Sequence, residues 1–372
     1  MLVGVSREIK DNEYRVGLTP SSVHELAAKG HRVIVETGAG LGAGLADAAY
    51  QAVGAEIVRT AEEIFSRAEL IVKVKEPLQE ERKRLRRGQV IFTYLHLAPD
   101  REQTEELLSA GCSAIAYETV TSPQGSLPLL TPMSEVAGRM APHVGAHLLE
   151  KVNGGRGILI GGVPGVPGAD VLILGGGVVG ANAALIAIGM GGSVTVVDRN
   201  PDVLRRLSSQ FGNRLRTVFS TRDAGEVLCR RADLVVASAL IPGAAAPKLI
   251  SADTVTAMKS GSVIVDIAID QGGCAETSRP TTHSDPTFIV DAVVHYCVTN
   301  MPGAVARTST FALNNVTLPF VIALADKGFR GALTEDPHLR SGLNVHDGRV
   351  VHKAIANALK LPYTTAEQAL GI

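Results

Sequence analysis

The chain has 372 residues, which is more than one hydrophobic core usually organises, so two domains are expected. Hydrophobic residues make up 45% of the chain and charged residues 20%, a balance typical of globular proteins and not of disordered ones. The formal net charge of −1 leaves no basic excess to neutralise a phosphate backbone, which argues against nucleic acid as a partner.

The first third of the chain alternates short β-rich runs with helical patterns. The helix-like stretches include 20–29, 60–67 and 100–110, the last of which begins after a plausible cap at Pro99-Asp100. Strands that alternate with helices predict βαβ units and a parallel sheet. The candidate strands are 2–6, 32–36, 70–75, 89–94 and 112–117.

A second alternating block follows a break at 123–134. A helix is predicted to begin after Thr131, with Pro132 at its first position and an apolar residue at every fourth place. Another long apolar helix is predicted over 305–328. The candidate strands of the second block are 171–175, 193–198, 234–239, 262–268 and 288–294.

The two long helices bracket the second block, which indicates that this block is inserted into the first domain. The predicted fold is α/β, with two Rossmann-like domains that contain parallel sheets and are joined by long helices. The first domain is expected at 1–128 plus 307–372, and the second at 129–306. The tail shows helical pieces but no new series of strands.

A glycine-rich loop carries the most specific chemical signal. Gly175, Gly177 and Gly180 match G-x-G-x-x-G between a buried strand and a helix. The first glycine allows a tight turn, the second lets the backbone approach a pyrophosphate, and the third lets the helix pack closely on the strand. Asp198 ends the next strand, where a carboxylate can hydrogen-bond the adenosine ribose and repel a 2′-phosphate. NAD is therefore favoured over NADP, although Arg199 leaves tolerance of the phosphate open.

The cysteines and the N-terminus favour a soluble protein of the cytoplasm. Cys112, Cys229, Cys274 and Cys297 are scattered and form no C-x-x-C pair, which is typical of reduced thiols in a cytosolic protein. The N-terminus lacks the apolar core of a signal peptide. No uncharged apolar run reaches the roughly 18 residues of a membrane span.

Several polar residues permit more than one interpretation from the residues alone. Arg15 fits an ordinary surface arginine, and His96 fits a buried histidine whose hydrogen bonds are satisfied. Asp270 fits a helix cap as well as a catalytic carboxylate. His143 and His147 have a spacing that suits a metal on a helix, but no third ligand is apparent, so no metal is predicted.

Two lysines end a strand-like run at 71–77, IVKVKEP. Alternation of side chains puts Lys73 and Lys75 on the same face, as in a solvated or edge strand. For Lys73 a structural or solvent-facing role is expected. Lys75 lies at the carboxyl end of the predicted strand, where ligands gather in open α/β sheets.

Eight segments run through nearly the whole chain and are long or unusual. They are REIKDNEYRVGLTP (7–20), GHRVIVETGAG (30–40), VKVKEP (72–77), TYLHLA (93–98), TPMSEVAGRM (131–140), LGGGVVG (174–180), DIAIDQGGCAETSRPTTHSDPTF (266–288) and HYCVTNMPGAVARTST (295–310). Together they resemble the alanine dehydrogenases and the related NAD-binding subunit of transhydrogenase. The chain ends at Ile372 without a membrane-spanning continuation, which favours the soluble dehydrogenase.

The resemblance implies the reversible, NAD-dependent oxidative deamination of L-alanine to pyruvate and ammonia, in an active site in the interdomain cleft. It implies that Arg15 and Lys75 bind the substrate, that His96 is the general acid/base, and that Asp270 is the acidic partner at the hydride-transfer centre. The residues that it implies for the NAD site are Ser134, Gly175, Gly177, Val178, Gly180, Asp198, Ser220, Ala239, Leu240, Ile267, Ala268, Ile269, Asp270, Arg279, Val298, Thr299, Asn300 and Met301.

The resemblance also implies a homo-oligomer, commonly a hexamer and sometimes a dimer, that serves L-alanine catabolism. Activity on other small amino acids or glyoxylate, tolerance of NADP and the physiological direction stay open. A transhydrogenase-type NAD(H) subunit and a non-catalytic NAD-binding protein are the alternatives. The second is disfavoured because the four expected catalytic and substrate-binding residues are all present.

Overall fold

The computed structural model describes residues 1–239 and 246–372, which form two compact units. Unit 1 comprises Met1–Met133 and Gly303–Ile372, and unit 2 comprises Ser134–Pro302. Unit 2 is therefore continuous in sequence, whereas unit 1 is built from both ends of the chain.

The strands of the described residues are numbered in chain order. They are β1 (Leu2–Val5), β2 (Arg32–Glu36), β3 (Glu56–Val58), β4 (Leu70–Val72), β5 (Val90–Thr93), β6 (Ser113–Ala116), β7 (Asp170–Leu174), β8 (Ser193–Asp198), β9 (Leu215–Phe219), β10 (Leu234–Ala237), β11 (Val263–Asp266), β12 (Thr287–Val290), β13 (Val293–Tyr296), β14 (Leu343–His346) and β15 (Arg349–Val350).

The α-helices follow the same convention. They are α1 (Pro20–Ala28), α2 (Asp47–Gln51), α3 (Ala61–Arg67), α4 (Gln79–Arg82), α5 (Arg101–Ala110), α6 (Thr131–Leu148), α7 (Val178–Gly189), α8 (Pro201–Phe211), α9 (Arg222–Arg231), α10 (Ala252–Thr256), α11 (Ala306–Glu335), α12 (Pro337–Arg340), α13 (Lys353–Leu359) and α14 (Ala366–Leu370). Short 3-10 turns occur at Leu41–Ala43, Tyr117–Thr119, Lys151–Asn153, Gly212–Arg214, Ile267–Gln271 and Met301–Val305.

Each unit is organised around one mainly parallel sheet. In unit 1 the strand order is β15-β14-β6-β5-β4-β1-β2-β3, and only the pairs made by β14 are antiparallel. Within the described residues of unit 2 the order is β12-β13-β11-β10-β7-β8-β9, and only β12 pairs with its neighbour in antiparallel fashion. The predicted α/β class with two Rossmann-like sheets is confirmed.

Some predicted strands differ from the observed ones. The strand predicted at 70–75 ends at Val72, so Lys73 and Lys75 lie in the turn that follows it. The strand predicted at 288–294 is a hairpin of β12 and β13, joined where Asp291 and Ala292 have φ of 48° and 60°. The tail, for which no new strands were expected, contributes the hairpin of β14 and β15.

The long helix α11 is a core element of unit 1. By length and composition alone the helical segment Met301–Glu335 is able to cross a membrane, and 44% of its most apolar window is buried inside the fold. Its buried Asn314 accepts hydrogen bonds from Thr19 N at 2.9 Å and Ser22 Oγ at 2.8 Å, which attach it to the start of α1. Gly328, with φ of 70°, interrupts the helix.

Candidate active site

The glycine loop of unit 2 connects β7 to α7. Gly175 has φ of 99°, a left-handed conformation that favours glycine. A Cβ on Gly180 would lie 1.9 Å from the Gly175 carbonyl oxygen, so only glycine permits this approach of helix to strand. Gly177 is the N-cap of α7, and a Cβ there would meet nothing within 4 Å. The loop thus leaves open space beside the free N–H groups of a helix N-terminus, which fits a pyrophosphate.

Asp198 is fixed beside the same loop. Its Oδ2 accepts a hydrogen bond from Gly176 N at 2.7 Å, and its Oδ1 accepts one from Asn200 N at 2.8 Å. Arg206 donates to the Gly176 carbonyl at 2.9 Å and holds the loop from the side of α8. Each carboxylate oxygen retains lone pairs, so Asp198 is able to accept hydrogen bonds from the hydroxyls of a ribose.

Most of the other predicted coenzyme residues follow the carboxyl ends of strands in unit 2. Ser220 follows β9 and donates its N–H to the Asp198 carbonyl at 2.9 Å. Ala239 follows β10, residues 267–270 follow β11, and residues 298–301 follow β13. Leu240 lies outside the described residues. Ligands of open α/β sheets bind at these carboxyl ends.

Three predicted coenzyme residues lie elsewhere or make a separate contact. Ser134 is in α6, and Val178 is the first residue of α7. The Arg279 guanidinium lies 4.2 Å from the centroid of the Phe288 ring, which holds the side chain by a cation–π contact.

Asp270 is the exposed residue of the 3-10 turn Ile267–Gln271, directly after β11. It is inside this turn and is not a helix cap. Among the residues that the structure describes, its carboxylate makes no hydrogen bond or ion pair. The loop after it is anchored by buried Asp266, whose Oδ2 accepts from Cys274 N at 2.7 Å and Ser278 Oγ at 2.6 Å. The 3-10 turn and its anchor together present the Asp270 carboxylate to solvent.

Arg15 of unit 1 is buried, with 2% of its surface exposed, so the interpretation as a surface arginine is wrong. Its Nε and Nη2 donate to the two carboxylate oxygens of Glu13 at 2.6 and 2.5 Å, and its Nη1 donates to Met133 Sδ at 3.0 Å. Burial alone lowers the pKa of Arg15, but the Glu13 carboxylate outweighs burial and leaves the pKa above its ordinary value. The guanidinium is therefore a fixed positive charge.

The two lysines of IVKVKEP have different environments. Lys73 is fully buried, so a solvent-facing role is wrong, and its Nζ lies 2.7 Å from Glu81 Oε1 and 3.2 Å from Glu8 Oε2. Burial lowers the pKa of Lys73, but the two carboxylates outweigh it and raise the pKa to about 12. Lys75 is half-buried, and its carbonyl accepts a hydrogen bond from Thr93 Oγ1 at 2.9 Å.

His96 has an exposed imidazole on a constrained backbone. Its side chain is 49% exposed, so the interpretation as a buried histidine is wrong. Its φ of 50° is unusual for a residue with a side chain. Glu118 Oε1 accepts the His96 N–H at 2.7 Å and lies 3.9 Å from Nδ1. The imidazole is nearly parallel to the Tyr94 ring, with 5.9 Å between centroids.

The predicted site residues of unit 1 lie at one edge of its sheet. Lys75 follows β4, His96 follows β5 and Glu118 follows β6, and these strands are adjacent. A Cβ on Gly17 would lie 2.4 Å from the Val72 carbonyl oxygen, so the segment that carries Arg15 passes against the end of β4. The edge therefore combines fixed cations with an accessible imidazole.

Sequence reasoning missed two acidic residues at this edge. Glu13 lies two residues before Arg15 within segment 7–20. A carboxylate this close to an arginine in sequence indicates an ion pair. Glu118 follows the predicted strand 112–117, so the rule that ligands gather at carboxyl ends would have included it.

The four cysteines are buried, and a metal site is not found among the described residues. Burial raises the pKa of each of the four thiols to about 12, so they are protonated at neutral pH. Within residues 1–239 and 246–372, no three His, Cys, Asp or Glu side chains are grouped as a metal site would require. His147 instead lies beside Glu150, with 3.4 Å between Nδ1 and Oε1.

Comparison with protein families gives the same result for both parts of the chain. The family described as "Alanine dehydrogenase/PNT, N-terminal domain" matches residues 4–137. The family described as "Alanine dehydrogenase/PNT, C-terminal domain" matches residues 141–353.

Whole proteins are similar over the full length. An alanine dehydrogenase of Halomonas elongata is 57% identical over 371 residues, and one of Mycolicibacterium smegmatis is 54% identical over 370, each covering 100% of both chains. A solved L-alanine dehydrogenase is 51% identical, with a TM-score of 0.94 over 97% of this chain and 99% of that chain. A transhydrogenase from Sinorhizobium meliloti is 25% identical, with a TM-score of 0.80 over 95% of this chain and 100% of that chain.

Proposed function

The chain belongs to the alanine dehydrogenase/PNT family, and from that membership we propose that it catalyses the reversible, NAD-dependent oxidative deamination of L-alanine to pyruvate and ammonia. The observation that carries the proposal is the sheet edge of unit 1, where Lys75 and His96 follow adjacent strands and the segment of Arg15 passes against the end of β4. Two cations there suit a small carboxylate, and an exposed imidazole suits proton transfer.

Arg15 and Lys75 are proposed to bind the substrate carboxylate and carbonyl. Arg15 is held by Glu13 in a fixed orientation, so little side-chain entropy is lost when it binds an anion. Lys75 contributes a second positive charge at the end of β4. A derivative of alanine in which an uncharged amide replaces the carboxylate is accordingly expected to be a poor substrate.

His96 is proposed to transfer protons, and Asp270 is proposed to stabilise the positive charge that forms on the substrate. A bound NAD would supply the hydride acceptor for the Cα–H bond of L-alanine. As the amine becomes an iminium, the Asp270 carboxylate stabilises the positive charge. His96 then takes a proton from the water that adds to the iminium carbon and returns it to the nitrogen of the carbinolamine. As the C–N bond breaks and ammonia leaves, His96 takes the hydroxyl proton and the carbonyl of pyruvate forms.

The residues of unit 2 fit NAD better than NADP. The residues proposed to hold the coenzyme are those at the glycine loop and at the carboxyl ends of the strands, with Asp198 on the adenosine ribose. Both oxygens of Asp198 are already held by backbone N–H groups, so the carboxylate is fixed where a 2′-phosphate would meet its negative charge.

We also propose that the protein is a cytoplasmic homo-oligomer, commonly a hexamer in this family, that serves L-alanine catabolism. Unit 2 supports self-association, because it exposes large apolar side chains close together in sequence. They are Val152, Leu159, Val163 and Val166. Such side chains mark a contact surface between chains where they form one contiguous patch.

A transhydrogenase-type NAD(H) subunit is the less favoured function. The transhydrogenase from Sinorhizobium meliloti is 25% identical to this chain, whereas the alanine dehydrogenases are 51–57% identical. A non-catalytic NAD-binding protein is disfavoured as well, because Arg15, Lys75, His96 and Asp270 are all retained.

The test of the proposal is the formation of NADH from NAD by the purified chain, with and without L-alanine. NADH that forms only with L-alanine supports it. Binding of NAD without any alanine-dependent turnover contradicts it and leaves the two alternative functions. The same assay with NADP measures the coenzyme preference attributed to Asp198.

A further inference from the structure

A buried cluster of three charges lies directly beneath the turn that carries Lys75. The Lys73 ammonium contacts Glu81 at 2.7 Å and Glu8 at 3.2 Å, and Ser6 Oγ at 3.4 Å. Lys73, Glu8 and Glu81 are each no more than 8% exposed. Burial raises the pKa of Glu8, and the Lys73 ammonium offsets only part of that rise.

The same carboxylates also bind the backbone of the turn. Glu8 Oε1 accepts from Val74 N at 2.7 Å and from Lys75 N at 3.4 Å. Glu81 Oε2 accepts from Leu78 N at 2.9 Å, where the turn enters α4. Each glutamate thus uses one oxygen for Lys73 and the other for a backbone N–H. The cluster therefore fixes both ends of the segment between β4 and α4.

Neighbouring strands complete the restraint on this segment. Tyr117 Oη donates to the Lys73 carbonyl, and Thr93 Oγ1 donates to the Lys75 carbonyl, each at 2.9 Å. Lys75 is consequently held at its N–H by Glu8 and at its carbonyl by Thr93. A turn held on every side by specific groups presents its side chain in one place.

A buried ion cluster is a poor means of stabilisation, because apolar residues of the same volume often do as well or better. The contacts of this cluster with the backbone of the turn indicate a more specific role. We propose that Glu8, Lys73 and Glu81 are positioning residues that set the location of the Lys75 ammonium relative to the substrate carboxylate. This inference rests on the proposed function, because Lys75 is taken as a substrate-binding cation.

Variants of Glu8 test the inference through a comparison of two Michaelis constants. Glu8→Ala removes both the backbone acceptor and the charge, and is expected to raise the KM for L-alanine on the order of 10- to 100-fold, as small misplacements of a binding group do. Glu8→Gln keeps one acceptor oxygen and is expected to raise this KM by about fivefold. The KM for NAD is expected to stay within about twofold of wild type in both.

Gln89→Leu is the matched control for general destabilisation. Gln89 is buried in the same unit at the opposite end of the sheet, and its Nε2 donates to the carbonyls of Phe65 and Ala68 at 2.8 Å. Its loss is expected to lower the Tm and leave both KM values unchanged. If Glu8 had only a structural role, its variants would likewise lower the Tm and leave both KM values unchanged.

The outcomes separate the inference from the proposed function. Wild-type protein without alanine turnover contradicts the function before any variant is made. With active wild type, a KM for L-alanine within about twofold of wild type in folded Glu8→Ala overturns the inference. If Glu8→Ala does not fold, Glu8→Gln decides by the same criterion. Faster hydrogen exchange of the Val74 amide in either variant verifies, independently of activity, that the turn has been released.

Discussion

At the level of single residues, neighbouring side chains with the same chemistry have separate tasks. Lys73 is enclosed by two glutamates, whereas Lys75 is half-buried at the edge of the sheet. Arg15 is likewise enclosed, but its carboxylate partner Glu13 orients it at the same edge. The surroundings of a charge, rather than its place in the sequence, decide which of these groups is able to meet a ligand.

Lys75→Ala is expected mainly to lower turnover, whereas Lys73→Ala is expected mainly to lower the free energy of unfolding. Lys75→Ala should abolish or severely reduce turnover with a smaller loss of the free energy of unfolding, because Lys75 is half-buried and Glu76, whose pKa it lowers, keeps Lys10 as a second partner. Lys73→Ala should lower the free energy of unfolding by about 3–5 kcal/mol, because two buried carboxylates lose their counter-ion. Urea unfolding and kcat measure the two effects, and equal stability loss in both variants would contradict the distinction.

His96→Ala is expected to lose turnover while it keeps its affinity for NAD. General acid/base catalysis contributes roughly 10²- to 10⁴-fold, so kcat should fall by about that factor. The measurements are steady-state kinetics and titration with NAD. His24→Ala, which alters an exposed histidine on α1, is the control and should match wild type. Unchanged kcat in His96→Ala would show that another group transfers the proton.

At the level of elements, the glycine loop separates a structural glycine from a binding glycine. Gly177→Ala should change the free energy of unfolding by less than about 0.5 kcal/mol, since its Cβ meets nothing within 4 Å. Its methyl group occupies the space expected for the pyrophosphate, so the Kd for NAD should rise about tenfold or more. Gly180→Ala should instead destabilise the fold, since its Cβ meets the Gly175 carbonyl oxygen. Equal NAD affinity in Gly177→Ala and wild type would place the pyrophosphate elsewhere.

The buried His295 of β13 makes unit 2 sensitive to acid. Burial lowers the pKa of His295 from 6.5, and its nitrogens contact the Val293 carbonyl at 3.0 Å and Thr277 Oγ1 at 2.8 Å. As the pH falls, His295 therefore becomes protonated in the unfolded chain before it does in the folded chain. The free energy of unfolding falls as the pH drops below 6.5, by at most about 1.4 kcal/mol per pH unit. His295→Asn should lose this part of the pH dependence, measured by urea unfolding at several pH values. An identical pH slope in the variant would be inconsistent with the assignment.

Features that depend on residues close in sequence were easier to predict than features that depend on residues distant in sequence. The cap of α5 is local, and Asp100 accepts a hydrogen bond from Gln103 N as its sequence indicated. The end of β4 was misplaced because the partners of Lys73 include Glu8, which no local pattern connects to it. The hairpin of β14 and β15 turns at Asp347-Gly348, a strong hairpin signal that was available in the sequence and was missed.

The residues of the candidate site were also hard to assign from local sequence alone. A resemblance to a family supplied Arg15, Lys75, His96 and Asp270, but the residues alone favoured a surface arginine and a buried histidine. The conformation of His96 depends on Glu118, which is remote in sequence. Periodicity reports which face of an element is apolar and does not report which distant carboxylate will fix a turn.

At the level of the whole molecule, self-association is the property most open to a direct test. The exposed valines Val163 and Val166 are paired by hydrogen bonds between their backbones, at 3.1 and 2.8 Å. If this turn lies in a contact between subunits, Val163→Asp together with Val166→Asp should give a species of lower mass in light scattering, because buried carboxylates without partners are costly. Val227→Asp on α9, also exposed, is the control. A wild-type mass for the double variant would place the contact elsewhere.

The split composition of unit 1 has a consequence for biosynthesis. When a ribosome has polymerised residues 1–302, every strand of the unit 2 sheet has been made. The unit 1 sheet at that moment lacks β14 and β15, so β6 presents an unpaired edge, and α11 has not been translated. Co-translational folding is therefore expected to finish the inserted half before the half that surrounds it, although the latter starts first at the N-terminus. During that interval the exposed edge of β6 is open to pairing with strands of other chains.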